Sequence, residues 1–66
     1  MQSFTVIKSR NSRRYYVYNC DGTDIAQLDS FAMCLNYFYE WCVKLSCKSV
    51  TFAPTIDPNV ICVKMN

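Results

Sequence analysis

Two spacings of apolar side chains divide this chain. Over residues 29–48 they recur every three or four positions: at about 100° per residue, Trp41, Cys34, Leu45, Phe38, Phe31, Cys42 and Leu35 fall in one stripe ~120° wide, the core face of a helix. On either side of that segment the period drops to two. Residues 3–8 and 14–20 alternate and are rich in Val, Ile, Thr, Tyr and Phe, which predicts a hairpin. The run Cys20-Asp21-Gly22-Thr23 carries an Asp-Gly turn signal, and residues 24–28 return as a short third strand. Beyond the helix, residues 49–53 read as a strand stopped by Pro54, residues 55–59 as a proline-bracketed turn, and residues 60–65 as the last strand.

The order is therefore β-β-β-α-β-β. It predicts a single α+β domain over residues 1–66: a small antiparallel sheet of four or five strands with one amphipathic helix packed on one face. The helix is expected to start where Asp29 or Ser30 accepts hydrogen bonds from first-turn amides, and to end near Cys47 or Lys48, where lysines suit the negative end of the helix dipole. Trp41 and Phe38 are expected to be largely buried against the sheet.

The side of the helix away from the stripe is less ordinary. Met33, Tyr37, Tyr39 and Val43 stand there among Asn36, Glu40 and Lys44, where a face turned only to water would carry mostly charge. The sheet has a comparable feature. With Val17 toward the core, strand alternation puts Arg14, Tyr16 and Tyr18 together on the face that the helix leaves free. Aromatic rings interleaved with arginine on an exposed sheet are the chemistry that stacks single-stranded bases.

Charge is distributed unevenly. Residues 1–20 carry a net +4, and residues 21–66 a net −2. The basic excess is concentrated in the loop of the first hairpin, K-S-R-N-S-R-R, where Lys8, Arg10, Arg13 and Arg14 are candidates for contact with nucleic acid or an acidic partner. The overall net charge of +2 is small for a phosphate-binding protein.

Five cysteines in 66 residues raise the question of a disulfide scaffold. The odd count, the lack of an export-signal pattern in the first twenty residues, and the expected placement of Cys34, Cys42 and Cys47 in one helix argue for reduced thiols and a cytoplasmic setting. All five thiols are expected to be free; only Cys20 and Cys62, near strand ends, could reach one another. No apolar run has the ~20 residues that a membrane span needs.

Catalysis finds little footing. Without histidine there is no base poised near neutral pH for a Cys or Ser nucleophile, and the five acids form no evident dyad. The cysteine intervals of 14, 8, 5 and 15 residues contain no zinc knuckle, and one glycine cannot make a phosphate loop. No enzyme activity, cofactor or metal is expected.

What remains is binding. The favoured reading is a protein-binding inhibitor or adaptor that presents Met33, Tyr37, Tyr39, Glu40, Val43 and Lys44 to a larger intracellular protein or nucleoprotein complex. The alternative is single-stranded nucleic-acid binding through Lys8, Arg10, Arg13, Arg14, Tyr16 and Tyr18, and a second copy of the chain is a further partner to weigh. In build the chain resembles the very small intracellular proteins with which bacteriophages block host machines, anti-CRISPR proteins and RNA-polymerase inhibitors among them. The resemblance covers size and element order, implies inhibition by occlusion, and transfers no residue roles.

Overall fold

The computed structural model describes residues 2–66. Five strands and one helix follow in the expected order: β1 (Gln2–Lys8), β2 (Tyr15–Asn19), β3 (Asp24–Leu28), α1 (Phe31–Lys44), β4 (Val50–Pro54) and β5 (Val60–Met65). The strands form one antiparallel sheet in the spatial order β3-β2-β1-β5-β4. The two edge strands, β3 and β4, run parallel to each other, and α1 is the crossover that joins them across the intervening three strands. One helix therefore has to cover the whole sheet.

Register decides which side chains meet it. Val6 lies opposite Val17 on β2 and Ile61 on β5, and Phe4 lies opposite Val63, which itself faces Phe52 on β4. These residues all point to the helix, where Phe4, Val6, Val17, Val63 and Met65 are buried with Cys34, Phe38 and Cys42 of α1. Phe38 is wholly buried, between the rings of Phe4 and Phe52, with centroid separations of 5.4 and 5.9 Å.

The buried stripe is narrower than the periodicity predicts. Cys34, Phe38 and Cys42, spaced by four, are buried, whereas Trp41 and Leu35 are half-buried and Phe31 and Leu45 are exposed. Phe31 and Leu45 stand at the first residue and the cap of a 14-residue helix, and Phe31, although partly open to solvent, still bridges Tyr15 of β2 and Phe52 of β4 at 6.0 and 6.1 Å. Trp41 packs on Phe4 at 5.6 Å but keeps an edge in solvent.

The helix starts as expected and ends early. Ser30 is the N-cap, its Oγ accepting from the Met33 amide at 3.2 Å. At the other end the last helical residue is Lys44, three or four residues before the expected stop. Ser46 takes a left-handed conformation, φ 56°, and the chain closes in a Schellman turn: the Cys47 amide donates to the Cys42 carbonyl at 2.8 Å and the Ser46 amide to the Val43 carbonyl at 3.2 Å. The Cys42 thiol adds a bond to the Cys47 carbonyl at 3.2 Å. Lys48 and Ser49 are drawn into backbone bonds with Asn66 beside β5, so sheet pairing overrides the helical pattern there.

The Asp-Gly turn forms as expected. Gly22 adopts φ 88° with open space around it, so the position requires conformational freedom and not room. The Asp21 carboxylate accepts from the Thr23 amide at 2.9 Å, and that bond holds its pKa below the ordinary carboxylate value.

Replacing Phe38 with alanine removes the ring on which sheet and helix meet, and is expected to cost roughly 3–5 kcal/mol, a large share of the stability of so small a domain. Denaturant unfolding of Phe38→Ala will show it. Ser46→Gly is expected to stabilise by about 0.5–1 kcal/mol, because a left-handed residue with a Cβ is strained and glycine is not. A thermal melt with the midpoint of the variant at or below that of the parent would contradict the Schellman geometry.

Candidate functional site

The outer helix surface is the first candidate. On α1, Met33, Asn36, Glu40, Val43 and Lys44 point away from the sheet, with Val43 81% and Met33 46% exposed. Asn36, Tyr39, Glu40, Val43 and Lys44 line a shallow depression of about 540 Å³. The two tyrosines do not share this surface equally. At about 100° to either side of Phe38 they flank the core stripe instead of opposing it.

Tyr39 leans toward β4, its ring 6.2 Å from Phe52, and remains 52% exposed. Tyr37 leans the other way, stacks on Trp41 at 5.1 Å and meets Phe38 edge-on at 5.4 Å. It is half-buried against the core, and burial raises its pKa. Tyr37 therefore belongs more to the packing than to the outer surface expected for it, because its ring is taken up by Phe38 and by Trp41 one turn along the same helix.

The uncovered sheet face is the second candidate. Of the ten aromatic residues, eight are joined through ring contacts on the helix side: Tyr15, Phe31, Phe52, Phe38, Phe4, Trp41, Tyr37 and Tyr39. The other two, Tyr16 and Tyr18, are on the opposite face, as the alternation around buried Val17 requires. Their cross-strand neighbours on β1 are Ile7 and Thr5, followed on β5 by Val60 and Cys62. All six are half-buried with no element laid over them.

The basic residues lie at one end of this face. Arg14 precedes β2 and shares the parity of Tyr16, while Arg10 and Arg13 sit in the hairpin loop and Lys8 closes β1; all four are exposed. The loop does not stand free. The Lys8 amide donates to the Asn59 carbonyl at 2.8 Å, and the Arg10 guanidinium approaches the Asp57 carboxylate at 3.7 Å. Asp57 also accepts from the Asn59 amide at 2.9 Å, so it is held in place by its own turn. Neighbouring turns thus bring an acid to one of the four cations, a pairing invisible in a chain where they are 47 residues apart.

The thiols are dispersed. Cys34 and Cys42 are buried in the core, Cys20 is exposed in the Asp-Gly turn, and all five cysteines are free. Cys62 lies on β5 and Cys20 just beyond the end of β2, with β1 between those two strands. Two strand spacings amount to ~9.6 Å, more than the ~7 Å between Cα atoms that a disulfide spans. Cys47, expected inside the helix, is instead turned back toward Cys42 by the Schellman closure. Burial pushes the Cys34 thiol up, and burial followed by the proximity of Cys47 does the same for Cys42.

Among the described residues no group of three or more His, Cys, Asp or Glu side chains is arranged to hold a metal ion, and no helix is long and apolar enough to cross a membrane. No family model, curated protein or solved structure matches the chain.

In the native protein a thiol reagent is expected to modify Cys20 first, and Cys34 and Cys42 only on unfolding, since the thiolate is the reactive form and both are buried. Denatured without reductant, the protein should titrate five thiols; a count of three would reveal a disulfide and contradict the placement given above.

Proposed function

We propose that this chain is a non-enzymatic protein-binding module that acts by occlusion, with the outer surface of α1 as its contact. The observation that carries the reading is the exposure of Val43, Tyr39 and Met33 on a helix whose core obligations are met by Cys34, Phe38 and Cys42. Val43 and Met33 contribute little to folding from where they stand, Tyr39 rests on Phe52 with about half of its surface free, and methionine and tyrosine are among the types concentrated at the cores of interfaces. Glu40 and Lys44 supply a polar rim around Val43. The helix is tied at both ends, by the Ser30 cap and by the Schellman turn, so the surface is presented with little ordering left to lose on binding. The partner in this reading is a larger intracellular protein or nucleoprotein complex, as for the small phage inhibitors of similar build.

A second reading has its own support. Tyr16 and Tyr18 stand outside the aromatic network on an uncovered face, about 7 Å apart along one strand, with Arg14 next in line. That spacing is about twice the rise between stacked bases, so the two rings suit bases splayed apart and stacked singly on each. The solvent-exposed pairing of Arg10 with Asp57 sets an acid beside one of the four cations and so reduces the local positive potential on which phosphate contact depends, while Lys8, Arg13 and Arg14 are unaffected by it.

The two are separated by one set of variants. Met33→Glu with Val43→Glu is expected to leave stability within about 0.5 kcal/mol, both sites being exposed, yet to abolish capture of a protein partner from nuclease-treated bacterial lysate. Arg10→Ala, Arg13→Ala and Arg14→Ala together should leave that capture intact. Tight, salt-sensitive binding of single-stranded DNA or RNA by the purified protein, lost in the triple arginine variant and indifferent to the helix variant, would transfer the function to the sheet face.

A further inference from the structure

The two edges of the sheet are treated differently. β3 carries Asp24 and Gln27 and is bulged: Val17 faces Ala26 while Tyr18 faces Asp24, leaving Ile25 as the extra residue. Charge and a bulge are the usual means by which an edge strand is kept from pairing with another chain. β4 has neither. Its sequence is VTFAP, its register with β5 is unbroken from Val50 to Pro54, and it contains no charged residue.

The phase of its hydrogen bonding is set by the Asn66 amide, which donates to the Ser49 carbonyl at 3.0 Å. Alternation along the ladder then turns the backbone groups of Thr51 and Ala53 toward β5, and those of Val50, Phe52 and Pro54 outward. Proline is at one of the outward positions, where its missing N–H removes nothing from the sheet. The free edge thus offers the N–H and C=O of Val50 and Phe52 and the C=O of Pro54.

We propose that β4 is a self-pairing edge, and that its occupant is the β4 strand of a second copy of this chain, antiparallel about a twofold axis at Phe52. In full overlap Phe52 of each copy donates to and accepts from Phe52 of the other, and each Val50 N–H donates to the opposite Pro54 C=O. Four hydrogen bonds form, and the absent proline N–H falls where the strand ends. A register centred on Ala53 brings Phe52 opposite proline and keeps only half of them.

The side chains agree with this axis. Phe52 and the half-exposed Tyr39 ring resting on it lie on the helix side of β4. The twofold sets both pairs against each other between the two helices, extending the aromatic contacts from one copy into the next. A twofold interface demands a self-complementary surface, and an uncharged antiparallel edge is one. The paired molecule is a ten-stranded sheet with both helices on one face; Met33, Glu40, Val43 and Lys44 of each are still turned outward, while Tyr39 passes from that surface to the interface between copies.

On the opposite face Thr51 lies across from Ala53 of the second copy. Thr51→Glu with Ala53→Glu therefore sets like charges together twice, whereas Thr51→Glu with Ala53→Lys sets opposite charges together twice. Sedimentation velocity is expected to give twice 7.7 kDa for the parent and the Glu/Lys variant, and 7.7 kDa for the Glu/Glu variant, with far-UV circular dichroism unchanged. In the parent, hydrogen exchange at the Val50 and Phe52 amides should slow as protein concentration rises, a readout that needs no variant. A parent that stays at 7.7 kDa up to millimolar concentration, with exchange at these amides independent of concentration, overturns the proposal. So does a dimer that the Glu/Glu substitution leaves intact.

Discussion

The burial of Phe38 between Phe4 and Phe52 is the contact on which the other features depend. Because α1 joins the two outermost strands, it must span a sheet wider than the footprint of a helix, and only three of its side chains reach full burial. Large rings make up the difference. Phe52 reaches inward from the edge strand to Phe31, Phe38 and Tyr39, and Phe4 reaches up from the central strand to Phe38 and Trp41. A chain of 66 residues buries a smaller fraction of its surface than a larger domain does, and aromatic bulk is how this one fills the space.

The same economy explains which surfaces remain available. One helix on one face leaves the opposite face bare, so Tyr16 and Tyr18 with Ile7, Val60 and Cys62 form a half-exposed layer. A crossover from edge to edge leaves both edges open, and of these only β3 is blunted. The helix itself uses one stripe for packing and has Met33 and Val43 left over. The surfaces the fold leaves uncovered are therefore the ones on which binding is proposed, and Tyr39, resting on Phe52, is shared by the outer helix surface and the β4 edge.

Much of this architecture is legible in the chain because it is encoded locally. The alternation around Val17 places Tyr15 and Tyr16 on opposite faces without reference to any other strand, and the Asp-Gly pair announces the turn that Gly22 makes with its positive φ. Ser30 is recognisable as a cap because its hydroxyl acts within its own turn. The features that were not legible depend on residues distant in sequence. Helical periodicity continues to Cys47, but Lys48 and Ser49 pair with Asn66, and the helix stops at Lys44 to allow it. Arg10 meets Asp57 only because two turns lie at the same end of the sheet.

Tyr37 and Tyr39 show where the division falls. Their positions at about 100° on either side of Phe38 follow from the helical repeat alone, as do the element order and the choice of core stripe. Whether such a flanking ring is packed or exposed depends on what lies beside the helix, and that is set by strand order and by the line the helix takes across the sheet. Sequence by itself determined periodicity, turns and the N-terminal cap, which are short-range properties of the backbone. Tyr37 meets Trp41 one turn along the same helix, a local contact; only the tertiary structure decided that Trp41 is docked on Phe4, that Tyr39 stays half-exposed above Phe52, and that β4 is an edge at all, because strand neighbours are chosen by long-range packing.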